Sequence, residues 1–154
     1  MNRFLCAVII LTGLTNCSDK KASTKNIPHD NALIGTWKMV YAQTKEKDSV
    51  QVKDLSDTKF IKIITPTHFV FFNQDKHSTD NFYAGAGTYE LNGNNYVETL
   101  NFTAVEGLRN HQFPFLIQIK QDTLIQSGVE EVKVAGIKRE IIEKYVKINS
   151  SVQL

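Results

Sequence analysis

Residues 59–73, KFIKIITPTHFVFFN, contain two runs rich in β-branched and aromatic residues, separated by Thr65, Pro66 and Thr67. Runs of this kind favour β-strands, and the proline between them favours a turn. A link of this length is too short for anything but a tight turn, so the two strands are expected to be antiparallel neighbours. The same pattern recurs along the chain and predicts an all-β fold.

Eight such runs lie between Leu33 and Ile148, and other short links also suit hairpins: Asn92 to Asn95 tolerate positive φ, and Gln121-Asp122 is a two-residue connection. Short links predict a meander of antiparallel strands. Eight of them remove their free edges most simply by closing into an up-and-down barrel, whose interior holds side chains or one small ligand. The predicted strands are Leu33–Thr44, Lys59–Thr65, His68–Asn73, Tyr83–Leu91, Tyr96–Thr103, Phe113–Gln121, Thr123–Val129 and Lys138–Ile148.

Two connections are longer than the others. Glu46–Thr58 is charged, and its Val52–Leu55 segment suggests one turn of helix. Ala104–Gln112 contains Gly107 and is expected to form a loop over one end of the barrel.

The N-terminus, MNRFLCAVIILTGLTNC, has basic Arg3, an apolar run and a small, polar exit before Cys17. These are the three regions of a secretory signal peptide, and the apolar run is too short to span a bilayer. The exit Leu14-Thr15-Asn16-Cys17 resembles the lipobox of bacterial lipoproteins, although Asn16 replaces the usual small residue. That resemblance implies cleavage before Cys17 and fatty acyl chains, such as palmitate, on this cysteine. An ordinary signal peptide with a chance cysteine is the alternative.

The expected organisation is therefore a signal peptide (1–16), a lipidated N-terminus and flexible tether (17–32), a barrel domain (33–148) and a C-terminal tail (149–154). The polar tether lacks apolar periodicity. The expected location is the envelope of a Gram-negative bacterium, at the outer membrane, with either the periplasmic or the surface face left open. The membrane is the expected partner, and any protein partner is left open.

The composition is that of one globular domain of 154 residues, with 42% hydrophobic and 22% charged residues. Removal of Arg3 with the signal peptide leaves 17 basic and 16 acidic side chains, so no charge excess suggests nucleic acid as a partner. Both cysteines lie in the first 17 residues, which excludes a disulfide framework in the body. No motif suggests a cofactor, and the four histidines lack metal-ligand spacing.

Four motifs follow one another in the body: Gly35-Thr36-Trp37, the 61–69 segment IKIITPTHF, the 85–93 segment GAGTYELNG and the 96–99 segment YVET. In this order they resemble the lipocalin-like (calycin) domains of Bacteroidetes lipoproteins, and the similarity covers about residues 33–148. The resemblance implies an eight-stranded, lipocalin-like barrel that is closed at its floor by Gly35 and Trp37, at the start of the first strand. It also implies a basic side chain of the last strand over Trp37, for which Lys144 is the first candidate and Arg139 the alternative.

Strand alternation selects candidate interior residues. Trp37, Met39 and Tyr41 share one face of the first strand, where they either fill the core or line a cavity. Glu98 shares a largely apolar face with Tyr96, Leu100 and Phe102. It is expected to form an ion pair or hydrogen bond with Lys144, Arg139 or a tyrosine, or to anchor a ligand.

Further candidates lie on the neighbouring strands. Gly85 and Gly87 share a face with Tyr89 and predict a strand bend or space beside a pocket. His68, next to the turn, is expected to be either a hydrogen-bonded core residue or a pocket donor.

No nucleophile motif, phosphate loop or acid pair suggests an enzyme. The leading hypothesis is a barrel that binds a small, largely apolar molecule or lipid. The first alternative is a filled barrel that serves as a structural or interaction module of an envelope complex. The second is a calycin-like enzyme that uses Glu98 with Tyr89 or Tyr96 as acid and base.

Overall fold

The computed structural model describes residues 32–149. The predicted signal peptide, Cys17, nearly all of the predicted tether and the tail from residue 150 lie outside the described residues. Within residues 32–149, no helix combines the length and apolar character needed to cross a membrane.

From Gly35 to Lys147 the chain forms strands and one short 3-10 helix. The strands are β1 Gly35–Glu46, β2 Ser49–Val52, β3 Thr58–Ile64, β4 His68–Asp75, β5 Tyr83–Asn92, β6 Asn95–Thr103, β7 His111–Lys120, β8 Thr123–Val132 and β9 Ile137–Lys147; the helix is Lys133–Ala135.

The strands close into a barrel. Each strand from β3 to β9 pairs antiparallel with the next, and β1 pairs antiparallel with both β3 and β9. The prediction of an all-β, eight-stranded, antiparallel up-and-down barrel is therefore confirmed. All eight predicted strands are present, within a few residues of their expected ends.

The ninth strand, β2, was not predicted. Thr44 pairs with Gln51 of β2 and with Ile141 of β9, so β2 lies on the edge of β1 that faces away from β9, beyond the point where β3 leaves that edge. The prediction of a helical turn around Val52–Leu55 is wrong, because the segment folds back as a hairpin at Lys47, whose φ is +54°. All four residues of β2 are exposed, so this hairpin adds little to the core.

Two β-bulges turn strands β1 and β6. On β1 the register shifts between Met39 and Tyr41, and the β5–β6 register skips Asn101. A bulge leaves one residue unpaired and reverses which later side chains point inward. On β6, Leu100 remains inside, whereas Phe102 points outward and is 70% exposed. The expectation that Phe102 shares the inward face is therefore wrong.

Gly87 lies opposite the β6 bulge. A Cβ atom at this position would lie 1.8 Å from the Thr99 carbonyl oxygen, so only glycine allows this approach of the two backbones. Gly87 thus allows a close approach of two backbones, a role that the expected strand bend or space beside a pocket did not include.

Candidate functional site

One end of the barrel is closed by Trp37. Its ring is fully buried, and its Nε1 donates a hydrogen bond to the Leu33 carbonyl oxygen at 2.8 Å. The ammonium of Lys147 lies 5.1 Å from the ring centroid and donates to the Ala32 carbonyl oxygen at 3.0 Å. A Cβ on Gly35, whose φ is +151°, would lie 2.5 Å from Cε of Lys147, so the glycine makes room for the lysine that covers the floor.

The prediction that Lys144 or Arg139 covers Trp37 is wrong. Strand alternation turns Lys144 outward, where its ammonium lies 5.0 Å from the Tyr41 ring centroid. Arg139 lies near the other end of the barrel and pairs with Glu130, with 2.5 Å between Nε and Oε2. The covering residue does come from the last strand, but it lies three residues later than the first candidate.

The other end of the barrel is open and leads into a cavity of about 480 Å³. This volume is within the usual range for small-molecule sites, roughly 300–1,000 Å³. The rim is formed by the start of β5, the loop after β6 and the start of β9. Most of the wall is apolar and aromatic; its main contributors are Phe60, Phe71, Leu100, Leu108, Phe113 and Phe115.

A polar layer separates the cavity from the packed end. Lys62 is only 2% exposed; it forms an ion pair with Glu98 and donates to Gln126 Oε1 at 2.9 Å. Its ammonium also lies 5.5 Å from the Phe69 ring centroid and 5.6 Å from that of Tyr96. A buried charge is tolerated when it is paired and hydrogen-bonded, and both conditions hold for Lys62.

Glu143 and Tyr145 of β9 complete the polar layer. The Tyr145 hydroxyl donates to Glu143 Oε2 at 2.6 Å, and both side chains line the cavity. Burial raises the pKa of Glu143. The carboxylates of Glu130 and Glu98 raise it further, and the opposing effects of Lys62 and the Tyr145 hydroxyl do not cancel the rise. Burial likewise raises the pKa of the Tyr145 phenol well above its usual value, helped by the Glu143 carboxylate.

Besides Trp37, three predicted interior residues lie on the packed side of this layer. Met39 and Tyr96 are buried in the core with Trp37, and the Tyr96 and Tyr89 ring centroids are 5.1 Å apart. Tyr89 is partly buried and donates to the Thr65 carbonyl oxygen at 2.8 Å. Burial, and then the Glu98 carboxylate, raise the pKa of the Tyr96 phenol well above its usual value. These residues support the floor and do not line the cavity.

Two predicted interior residues point away from the barrel. Tyr41 follows the β1 bulge and pairs with Lys144 on the outer face, where its hydroxyl donates to Gln43 Oε1 at 2.7 Å. His68 is exposed at the start of β4, where its Nδ1 lies 2.7 Å from the Thr67 hydroxyl. Both predictions are wrong. The β1 bulge turns the Tyr41 side chain outward, and His68 begins β4 at a position whose side chain faces outward.

Of the predicted ligand-binding residues, only Glu98 lines the cavity, and its ion-pair partner is Lys62 rather than the predicted Lys144, Arg139 or a tyrosine. Sequence reasoning missed Lys62, Gln126, Glu143 and Tyr145. Period-two alternation offered a signal for Lys62, because it shares a face with Phe60 and Ile64, both of which are buried. Within residues 32–149, no group of three or more His, Cys, Asp or Glu side chains is placed to hold a metal ion.

Comparisons with known proteins give one family and one solved structure. The model of a family described as "Domain of unknown function (DUF4488)" matches residues 32–153. No curated protein matches. Among solved structures, a de novo designed fluorescence-activating β-barrel is 13% identical, covers 77% of this chain and 96% of its own, and gives a TM-score of 0.44.

Proposed function

The chain belongs to the DUF4488 family, which is described only as a domain of unknown function, and from its cavity we propose that it is a non-catalytic protein that binds a small, largely apolar molecule. One observation carries this proposal: the barrel encloses about 480 Å³ that is open at one end and lined mostly by aromatic and aliphatic side chains. Concave, apolar sites with a few convergent polar groups are typical of small-molecule binding.

The two alternative functions fit the geometry less well. A filled barrel acting as an interaction module predicts no cavity, and the open half contains one. Acid–base catalysis by Glu98 with Tyr89 or Tyr96 requires these groups to meet in an open pocket. Glu98 is instead paired with Lys62, and neither tyrosine lines the cavity.

The test is a titration with the neutral fluorescent probe N-phenyl-1-naphthylamine. The intact protein should bind it with saturable enhancement of fluorescence. Thr103 lines the cavity on β6, so Thr103→Trp should block the space and weaken binding at least ~10-fold, or about 1.4 kcal/mol. Thr88 is exposed on the neighbouring strand, so Thr88→Trp is the matched control and should bind as the parent does. No binding by the parent, or equal binding by both variants, would refute the proposal.

We also propose that lipid on Cys17 holds the barrel at the outer membrane of a Gram-negative bacterium, as in the lipocalin-like lipoproteins that the sequence resembles. The support is the N-terminal sequence alone, with its basic start, apolar run and lipobox-like exit before Cys17. Metabolic labelling with radioactive palmitate should mark the parent protein and leave Cys17→Ser unlabelled. Cys6→Ser, within the segment to be removed, is the control and should keep its label. An unlabelled parent would refute the anchor and leave the binding function untouched.

A further inference from the structure

The charges in the polar layer do not balance. Lys62 faces two carboxylates, Glu98 and Glu143, across the centre of the barrel. The ion pair joins Lys62 to Glu98, and no ion pair formed within residues 32–149 includes Glu143. When Glu143 is ionised, the layer therefore carries one negative charge more than it carries positive.

Lys62 is not available to a ligand. Its ammonium is engaged by the Glu98 carboxylate and Gln126 Oε1, and aromatic ring faces surround it at 5.5–5.8 Å. Only 2% of the residue is exposed. Glu143, in contrast, is partly buried and lies on the cavity surface, with the Tyr145 hydroxyl as its hydrogen-bond donor.

The aromatic walls already accept ammonium groups from the protein itself. The Lys53 ammonium lies 5.6 Å from the Phe60 ring centroid and 5.2 Å from that of Tyr83, and both rings line the cavity. The Lys62 ammonium lies 5.8 Å from the Tyr145 ring centroid. A cation over an aromatic face is stabilised most when it is shielded from water, as it would be inside this cavity.

We propose that the ligand is a cationic amine, in which an ammonium group on an apolar body pairs with the Glu143 carboxylate while the body packs against the phenylalanines of the wall. This inference rests on the proposed binding function and names the chemical class of its ligand. The ammonium supplies the positive charge that would pair with the Glu143 carboxylate, and the wall supplies the apolar contact.

A carboxylate ligand fits the cavity less well. At the bottom of the cavity the carboxylate would meet Glu98 and Glu143 of the polar layer, and Glu130 lies on the wall above them. Nearer the mouth, Arg139 already has the Glu130 carboxylate as its partner, and Lys53, which does not line the cavity, donates to Asn73 Oδ1 at 3.0 Å and to the Tyr83 hydroxyl at 2.9 Å. Like charges placed together in a shielded site repel, so the polar layer discriminates against an anionic ligand.

The test compares three probes with the same phenyl body and different head groups: 4-phenylbutylamine, 4-phenylbutanol and 4-phenylbutyrate. Isothermal titration at pH 7 should show the amine binding at least ~10-fold more tightly than the alcohol, with the carboxylate weakest. Glu143→Gln should remove the advantage of the amine and leave the alcohol within about twofold. Glu140→Gln, three residues earlier on the outer face of β9, is the matched control and should change neither affinity.

The pH dependence gives a readout that needs no variant. The charged and titratable groups around Glu143 come from four strands: Lys62 on β3, Glu98 on β6, Glu130 on β8, and Arg139 and Tyr145 on β9. The amine pairs only with ionised Glu143, so its affinity should rise as the pH increases from 5 to 8, whereas the affinity of the alcohol should stay constant.

The outcomes separate this inference from the function on which it rests. If the alcohol or the carboxylate binds as tightly as the amine, or if the affinity of the amine is independent of pH, the amine inference is wrong and apolar binding stands. If none of the three probes binds and the neutral fluorescent probe also fails, the binding function itself is wrong.

Discussion

On the Trp37 side of Lys62, the inward-facing residues Ile64, Tyr96 and Leu124 are each no more than 1% exposed. On the other side, Phe71 of β4 and Phe113 of β7 stand along an open cavity and are only partly buried. Both halves have apolar side chains inside the barrel, but they differ in how the space between the strands is filled.

Strand geometry therefore decides where this barrel is hollow. Trp37, Tyr89 and Tyr96 place large rings in the closed half, and Lys147 covers that end. Beyond Met39 and Leu100, the two bulges turn Tyr41 and Phe102 outward, so two aromatic rings that simple alternation would place inside lie on the outer surface. The smaller side chains of Ala42 and Thr103 take the inward positions instead and fill less space.

The largest expected effect is the loss of a ring from the closed half. Trp37→Ala removes a fully buried side chain and its hydrogen bond to Leu33, and it should lower the free energy of unfolding by about 3–5 kcal/mol. Phe113→Ala removes a ring that already borders empty space and should cost about 1–2 kcal/mol. Urea unfolding measures both. Equal costs would show that the two halves are packed alike.

The ion pair at the boundary should be the next most sensitive feature. Lys62→Met leaves the buried Glu98 carboxylate without its cation and should cost about 3 kcal/mol. Adding Glu98→Leu to this variant removes the stranded charge and should recover most of the loss. The exposed Lys138–Glu131 pair, at 3.6 Å, is the control, and Lys138→Ala should change stability by less than about 0.5 kcal/mol. A double variant no better than Lys62→Met would contradict this account.

Glu143 should make the stability of the open half depend on pH. Because burial raises its pKa in the folded state, its contribution is fully present below the ordinary value of 4.5 and is lost as the pH rises through the raised pKa. The free energy of unfolding should therefore fall over that window, relative to Glu143→Gln, by at most about 1.4 kcal/mol per pH unit. Chemical denaturation of both proteins at several pH values measures the difference. Parallel curves would show that Glu143 titrates as a solvated carboxyl does.

The smallest expected effect concerns the cover of the floor. Lys147→Met keeps most of the aliphatic stem but removes the cation over Trp37 and the hydrogen bond to Ala32, and it should cost about 1 kcal/mol. Lys144→Met removes an exposed cation from Tyr41 and should cost about 0.5 kcal/mol or less. Thermal unfolding at constant pH ranks the two. A larger loss of stability from Lys144→Met than from Lys147→Met would contradict the assignment of Lys147 as the cover of Trp37.

Most of the fold could be predicted from the sequence because hairpin turns and strand alternation are local. The turn around Pro66 and the link at Gly93 set neighbouring strands antiparallel, and eight short strands favour closure. Bulges are not local in this sense. Nothing in the sequence next to Val40 or Asn101 marks an extra residue, because the extra residue is defined only by pairing with a distant strand.

The candidate site was predicted less well than the fold, for the same reason. Glu98 was found because it interrupts an apolar face, and its partner Lys62 interrupts another. Which cation meets which carboxylate depends on the register across the barrel and the position of each residue along its axis. Lys147, rather than Lys144, covers Trp37 because strand register places Trp37 directly beside Lys147.

The hydrogen bond from Lys147 to Ala32, and that from the Ile148 amide to the Thr36 carbonyl oxygen at 2.7 Å, bring the first and last described residues together beneath Trp37. Both ends of the described domain thus lie at one pole, and the cavity opens at the other. Attachment at either end of the described domain, including the N-terminal end that the proposed anchor would use, therefore leaves the entrance of the cavity clear.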